Sequence, residues 1–482
     1  EHDQAAAIEA VQRADAILPP DRQPATLRAR RLATEAFAWA SAGESSKAEE
    51  KAIEALSVLA EFRAAIAATD LRASTSELAV DVVHLLVDLL AEQNRYDEMV
   101  QVVDTARASI TNPPPVKPPS DPDITPLLGS VRELASEAQG ETSEEDAVPE
   151  TLVEAERTYE AAVRPADRQR RDLTLPDDTI GLALMSGTER LIGVTIDGDS
   201  ITPTSATPLD TLHGLLDELR ASLVRPVEQW DGIVRITSSI DTLLIPQDLA
   251  RDRPIVISPP AWMVTFPWTL LPSLRDRAVT VSPRLSNFVA ADDLEADPPA
   301  SALLVAGPHL ETGIEELGRV GSSYTDAQTL IDPAAEREAV LAQLAATDVL
   351  HVACHARFRA DNPLFSYLEL SDGSLHVHEL EGAGTVPDIV VLAACDSAAV
   401  AGTGLEFTGF VSVLLGLGVR TVVAAVSPVP DTATTSAVMA SFHEHLSSGG
   451  RPSVALAEAR RSAPDTPLGT LSAHTFQVFG WG

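Results

Sequence analysis

From about Leu173 onward, short apolar runs alternate with helical segments, and this alternation constrains the fold more than any other feature of the chain. The runs predicted as strands are Thr179–Met185, Leu191–Ile196, Pro254–Ser258, Ala302–Ala306, Val349–Cys354, Ile389–Ala394 and Thr421–Val426. Helical stretches are predicted around Leu209–Leu223, Glu336–Ala345, Phe407–Leu417, Ala433–Leu446 and Ser453–Arg461. Strands that are apolar along their whole length must be buried on both faces. The expected architecture is therefore α/β, a mostly parallel sheet covered on both sides by helices.

Residues 1–111 read differently, as helices in which small residues recur at helical spacing. One unit runs Trp39-x3-Gly43-x4-Ala48-x3-Ala52-x2-Ala55, and another Leu90-x3-Asn94-x4-Met99-x3-Val103-x2-Ala106. A fragment of a third is Ala7-x3-Val11-x2-Ala14, followed by Pro19-Pro20. Small residues at these offsets let two antiparallel helices approach closely, with Gly43 or Asn94 in the turn. The pattern resembles tetratricopeptide repeats, although the units are longer than the roughly 34 residues usual for them. Such repeats imply a concave surface for a protein partner. The first unit lacks its opening helix, so the natural chain is expected to extend upstream. The Pro-rich run from Asn112 to Pro126 admits no helix and reads as a linker. Gly140–Asp146 is acidic and polar, a short helix is expected near residues 150–162, and Arg164, Arg168, Arg170 and Arg171 read as a solvated helix end. The expected domains are 1–111 (helical repeats), 112–172 (linker and short helix), 173–298 and 299–482 (two halves of the α/β region).

Charge removes several function classes. The chain carries 71 Asp and Glu against 35 Lys and Arg, a formal charge of −36. Binding to nucleic acid or to an anionic membrane needs cationic surface, so neither partner is expected. Two cysteines, Cys354 and Cys395, cannot make a disulfide scaffold, and a reducing cytoplasm is the expected setting. The polar start Glu-His-Asp-Gln carries no secretory pattern, and the apolar stretch Phe407–Val426 is interrupted by Arg420 and glycines, so no membrane span is expected.

Two predicted strands end in reactive residues. Asp348-Val-Leu-His-Val-Ala-Cys-His355-Ala356 and Asp388-Ile-Val-Val-Leu-Ala-Ala-Cys395-Asp396-Ser397 both lose apolar character at a His or a Cys. In open α/β sheets, ligands bind beyond the carboxyl ends of the strands. If the two strands are parallel neighbours, His355 and Cys395 share one rim, where an imidazole beside a thiol raises the reactive thiolate fraction.

Together with Gly418-Val-Arg-Thr-Val-Val-Ala424, Pro428-Val-Pro-Asp431, Ile255-Val-Ile-Ser-Pro259 and Phe266-Pro-Trp-Thr-Leu-Leu271, these runs resemble the CHAT family. Its members are caspase- and separase-like cysteine peptidases, often fused to tetratricopeptide repeats. The resemblance spans about residues 175–482. It implies a caspase-like fold in two halves, the second catalytic, with His355 as base and Cys395 as nucleophile. It further implies an oxyanion hole from the backbone N–H groups of Ala356 and Cys395, and no cofactor. A protein substrate, and a protein regulator acting through the repeats, complete the expectation. A role in bacterial stress or anti-phage responses is implied by the same resemblance.

The sequence departs from the family pattern in three places. Ala356 stands where Gly is usual, Ala393-Ala-Cys-Asp-Ser-Ala398 replaces the usual Ser-Ala-Cys-Glu-Thr-Gly, and Ser427 replaces a Trp. These changes keep a non-catalytic scaffold open as the alternative. Asp396 and Asp431 are candidates for a pocket that takes basic side chains. His351 and Cys354 read as core. His376-x-His378 and His443-x-His445 lack companions at zinc spacing, so no metal site is assigned. Gly402-Thr-Gly404 lacks the ending of a phosphate loop and reads as a loop near the rim.

Overall fold

The computed structural model describes residues 23–65, 76–111, 175–250, 252–289, 297–310, 313–359, 366–380, 386–394, 397–399, 409–430 and 432–481, plus isolated positions 13, 126 and 130. Residues 1–111 and 173–482 form one compact unit and residues 112–172 a second. Apart from those isolated positions, the first repeat fragment, the Pro-rich run, the acidic Gly140–Asp146 and the arginine cluster lie outside the described residues.

The amino-terminal region consists of two helical hairpins, α1 (Ala25–Ser41) with α2 (Ser45–Ala65), and α3 (Ser76–Glu92) with α4 (Tyr96–Thr111). Ala48, Ala52, Ala55 and Met99 are fully buried, so the small residues of the repeat do line the contact between helices. Both turns use the left-handed region, Gly43 at φ 76° and Asn94 at φ 58°. Glycine adopts this conformation freely, and Asn is among the few other residues that tolerate it. Arg95 then ties the second hairpin to the first, donating to both carboxylate oxygens of Glu49 at 2.7 and 2.9 Å.

The α/β region follows in the order β1 (Ile180–Ser186), β2 (Arg190–Asp197), β3 (Ser200–Pro208), α5 (Leu209–Ser222), α6 (Trp230–Leu244), β4 (Ile255–Ser258), β5 (Val279–Val281), α7 (Leu285–Val289), β6 (Ser301–Ala306), α8 (Gly313–Gly321), β7 (Asp326–Ile331), α9 (Arg337–Gln343), β8 (Val349–Ala353), β9 (Ala356–Arg357), β10 (Tyr367–Leu370), β11 (Gly373–His376), α10 (Val377–Leu380), β12 (Ile389–Ala393), α11 (Phe410–Leu417), β13 (Thr421–Ala425), α12 (Ala433–Ser447), α13 (Pro452–Arg460), α14 (Pro467–His474) and β14 (Phe476–Gly480). One sheet of eleven strands, in the order β3-β2-β1-β4-β5-β14-β13-β12-β8-β6-β7, runs through it. Only the β1–β2, β2–β3 and β13–β14 pairings are antiparallel, so the sheet is mostly parallel as expected. β14 joins two halves: it pairs with β13 on one side and with β5 on the other.

The sheet is buried on both faces. Along β8 and the residue after it, Leu350, Val352 and Cys354 enter the core beneath α5, α6, α9 and α11, whereas Val349 and Ala353 enter the core beneath α8 and α12–α14. The helical hairpins cover the β1–β2 end of the second face, where Val82, Val83 and Leu86 pack with Ala183, Met185 and Val194. Polar contacts fix this docking. Thr188 N–H donates to Asp88 at 2.8 Å, and the Arg107 guanidinium donates to Ser258 Oγ at 2.8 Å and Leu184 O at 3.3 Å. No described helix is long and apolar enough to cross a membrane.

Candidate active site

β8 and β12 are hydrogen-bonded parallel neighbours, in register from Ile389 opposite Val349 to Ala393 opposite Ala353. His355 follows the end of β8 by two residues, and position 395 follows the end of β12 by the same two. His355 is exposed and Ala356 half-buried. Cys395, Asp396, Asp431 and Gly402–Gly404 lie outside the described residues.

The residues on either side of positions 395–396 are firmly held. Ala394 and Ser397 are buried, and Ser397 N–H donates to Ala394 O at 3.2 Å. Ser397 Oγ donates to Leu392 O at 3.0 Å and accepts from Ala425 N–H at 2.9 Å, while Ala398 N–H donates to Ala425 O at 3.1 Å. The neighbouring rim after β13 is fastened in the same way. Thr475 Oγ1 donates to Ser427 O at 3.0 Å, and Thr435 Oγ1 donates to Pro430 O at 2.5 Å. Ser427, at the position where the family pattern has Trp, shares a 2.8 Å hydroxyl contact with Thr475.

Ala356 opens β9, the edge strand of a separate sheet ordered β11-β10-β9. Glu369 N–H donates to His355 O at 2.8 Å, and Ala356 stands opposite Leu368. In an antiparallel ladder this register makes Ala356 and Leu368 a non-hydrogen-bonded pair, so the ladder to β10 does not take the Ala356 N–H. The strand is extended. The non-glycine residues at positive φ among the described residues are Asn94 and His309, so alanine at 356 meets no left-handed strain.

The β6–α8 loop is a part of this rim that sequence reasoning missed. Gly307 N–H donates to Ala353 O at 2.8 Å, holding the loop on the end of β8. A Cβ at Gly307 would stand 2.5 Å from Glu369 O and 2.7 Å from Cys354 Cβ. Glycine is therefore required by close approach of two strands, and the visible sign was a lone Gly ending an apolar run. The Cys354 thiol is buried, and burial pushes it up to about 12, which leaves it inert as a nucleophile.

His351 is fully buried in a chain of polar side chains beneath the rim. Its Nε2 lies 3.1 Å from Glu316 Oε1 and its Nδ1 3.0 Å from His443 Nε2. His443 Nδ1 lies 2.6 Å from Tyr324 Oη, and Ser436 Oγ donates to Glu316 Oε2 at 3.1 Å. One set of directions gives every proton an acceptor: Tyr324 donates to His443, His443 to His351 and His351 to Glu316. Burial, then the neighbouring His351, holds His443 well below the usual histidine range. Burial raises the Tyr324 hydroxyl. His351 thus belongs to the core, as expected, but as a member of a polar network. Nothing local announced that network, because its directly bonded members are up to 120 positions apart in sequence. His376 packs edge-on against Tyr367. Among the described residues no group of three or more His, Cys, Asp or Glu is placed to hold a metal ion.

The mostly parallel sheet between helices gives the chain a separase-like α/β fold. Two crystal structures of the Saccharomyces cerevisiae separase–securin complex, at 2.6 and 3.0 Å, match it with TM-scores of 0.50 and 0.50 at 12% and 10% identity. The matches cover 89% and 98% of this chain but 38% and 45% of the other, so the chain spans less than half the length of its structural neighbours. The CHAT domain pattern matches residues 215–477, more than half of the sequence, and the chain belongs to the CHAT-domain family. A search of curated proteins returned no match.

Proposed function

We propose that the protein is a cysteine endopeptidase of the CHAT family, with His355 and Cys395 as its catalytic pair. The observation that carries this reading is the in-register parallel pairing of β8 with β12, with the two residues at equal offsets beyond Ala353 and Ala393. His355 takes the proton from the Cys395 thiol. The thiolate attacks the substrate carbonyl, and the backbone N–H groups of Ala356 and Cys395 receive the developing oxyanion. The register of β9 supports this role for Ala356, since its N–H is not spent on the ladder. His355 then protonates the leaving amine, and water, deprotonated by His355, hydrolyses the thioester. Asp396 and Asp431 would favour a basic side chain before the cut.

The helical region serves as the platform for a protein substrate or regulator. Support comes from its fixed seat: α4 packs on β1 and β3 and also touches α11, the helix that follows the Cys395 segment. The related separase was crystallised with a protein partner, securin.

The test is covalent labelling by an Arg-containing peptidyl electrophile, with and without candidate activating proteins. Modification at Cys395 that disappears in Cys395→Ala and in His355→Ala supports the peptidase. No modification under any condition, with native stability retained, would leave a partner-binding scaffold as the function.

A further inference from the structure

Two arginines act electrostatically on a buried histidine behind the β13–β14 junction, outside the residues used above. Arg460, the last residue of α13, is 5% exposed, and His474, the last of α14, is 6% exposed. The Arg460 guanidinium docks one edge on the chain around His474. Its Nε donates to Ala473 O at 3.2 Å and its Nη2 to Phe476 O at 2.8 Å. These bonds satisfy carbonyls at the end of α14 and leave the Nη1 corner of the fork. That Nη1, His474 Nδ1 and Arg275 Nε are all buried and without a hydrogen-bond partner. Arg275 reaches the cluster from the turn before β5 and acts on the His474 ring as a second like charge.

The charge balance here is unusual for this chain. Acidic residues outnumber basic ones by 71 to 35. Yet among the described residues no carboxylate bonds to Arg460 or Arg275, and burial alone brings the Arg460 guanidinium down to about 9. Burial, followed by Arg460 and Arg275, holds His474 well below the histidine range. A buried cation without a counter-charge is costly, and proteins normally pair it.

We propose that Arg460, His474 and Arg275 form a binding site for a small inorganic anion. Three buried nitrogens without hydrogen-bond partners, from three elements, would hold it: a guanidinium corner, a second guanidinium edge and an imidazole. Burial of Arg460 and His474 restricts the occupant to something between chloride and phosphate in size. The anion supplies the missing counter-charge and accepts the unpaired N–H groups. Its place gives it a mechanical role. Thr475, next to His474, bonds Ser427 and Pro428, and its carbonyl accepts from Val426 N–H at 2.9 Å. An anion held at this point braces the segment after β13 that borders the candidate active site. The site does not depend on the peptidase reading.

Thermal unfolding of the whole chain, titrated with chloride, sulfate or phosphate at ionic strength held constant with gluconate, tests the proposal. The expected result is a saturable rise in Tm with at least one of the three, as ligand binding to the native state requires. Arg275→Gln, at a half-exposed position, is expected to move the midpoint at least tenfold higher. Crystals soaked in bromide should show an anomalous peak within hydrogen-bonding distance of Arg460 Nη1. A salt response that does not saturate, or that Arg275→Gln leaves unchanged, would overturn the site. So would bromide-soaked crystals with no peak there.

Discussion

The two halves of the sheet treat the ends of their parallel strands in opposite ways. In one half, β8 and β12 run side by side, with His355 exposed two residues past β8 and position 395 two residues past β12. In the other half, β1 and β4 also run side by side, from Ile180 opposite Ile255 to Ala183 opposite Ser258. Their ends carry no reactive group, and a guanidinium closes them. Arg107, reaching in from the helical region, bonds Ser258 Oγ and the carbonyl of Leu184, and burial lowers it to about 10 although Asp104 opposes the shift. The end of a parallel pair is thus only an opportunity. One pair ends beside the exposed His355, and the other serves as the seat of the helical region.

If this contrast is right, substitutions at the two ends should separate activity from stability. The largest effect belongs to the rim. Cys395→Ala and His355→Ala should each lower the labelling or cleavage rate by about ten-thousand-fold, with an unchanged unfolding midpoint. The double variant should be no worse than either alone, because the two groups act as a unit. Comparable residual activity in Cys395→Ala would remove the assignment.

Arg107→Met probes the opposite end. It removes the donor that Ser258 Oγ and the Leu184 carbonyl accept from, and leaving buried acceptors unsatisfied costs about 1–3 kcal/mol. Chemical denaturation should show that loss, with the helical region becoming sensitive to proteolysis before the α/β region does. Basal labelling at Cys395, measured below the new transition, should fall far less than in the rim variants. If Arg107→Met is neutral for stability, the helical region is not seated through this contact.

Gly307→Ala tests whether the rim is positioned as well as equipped. A Cβ there would press on Glu369 O and on Cys354 Cβ. Relief requires separating β10 from the end of β8, and overpacking of this kind costs about 1–3 kcal/mol. The expected result is a moderate fall in Tm together with a clear loss of labelling rate, since β8 leads directly into His355. Loss of stability with full activity would show that the rim tolerates movement of this loop.

These contacts also mark how far the sequence could be read. β8, β12 and β13 were legible because each is a largely apolar run of about the length of a strand. β3 was missed because Pro203 and polar alternation disguise an edge strand, and β7 because four of its residues face solvent. β14 is short, and its Gln477 breaks the apolar signal although all five residues are buried. α6 was readable in principle from Ile233, Ile236, Ile240 and Leu244, but its β-branched residues blur the helical cue. The hairpin turns at Gly43 and Asn94 were read correctly, since left-handed backbone leaves a compositional trace. Arg107 and Ser258 are 151 residues apart, and His351 and His443 are 92 apart. Such pairings exist only once the chain has folded, so an arginine on a helix and a histidine in a strand gave no warning of them. The equal offsets of His355 and Cys395 became meaningful for the same reason, once the two strands were neighbours in register.

The smallest expected effect is a pH dependence that distinguishes the two buried histidines. His443 and His474 both have folded-state values well below the unfolded value of about 6.5. Below that value the unfolded chain binds protons that the folded chain refuses. Stability therefore falls as pH is lowered through it, by about 1.4 kcal/mol per group between pH 7.5 and 5.5. His443 is enclosed by Tyr324 and His351 within the buried network, and no external ion should alter its share. His474 stands against two guanidiniums. His443→Gln should therefore remove about half of the combined slope whatever salt is present. The remaining half, from His474, should shrink when a small anion offsets those charges and raises the folded-state value toward the unfolded one. Denaturation midpoints across this pH range, in chloride and in gluconate, measure both. A slope untouched by His443→Gln would mean that the Tyr324–His443–His351–Glu316 chain takes up a proton in the folded state.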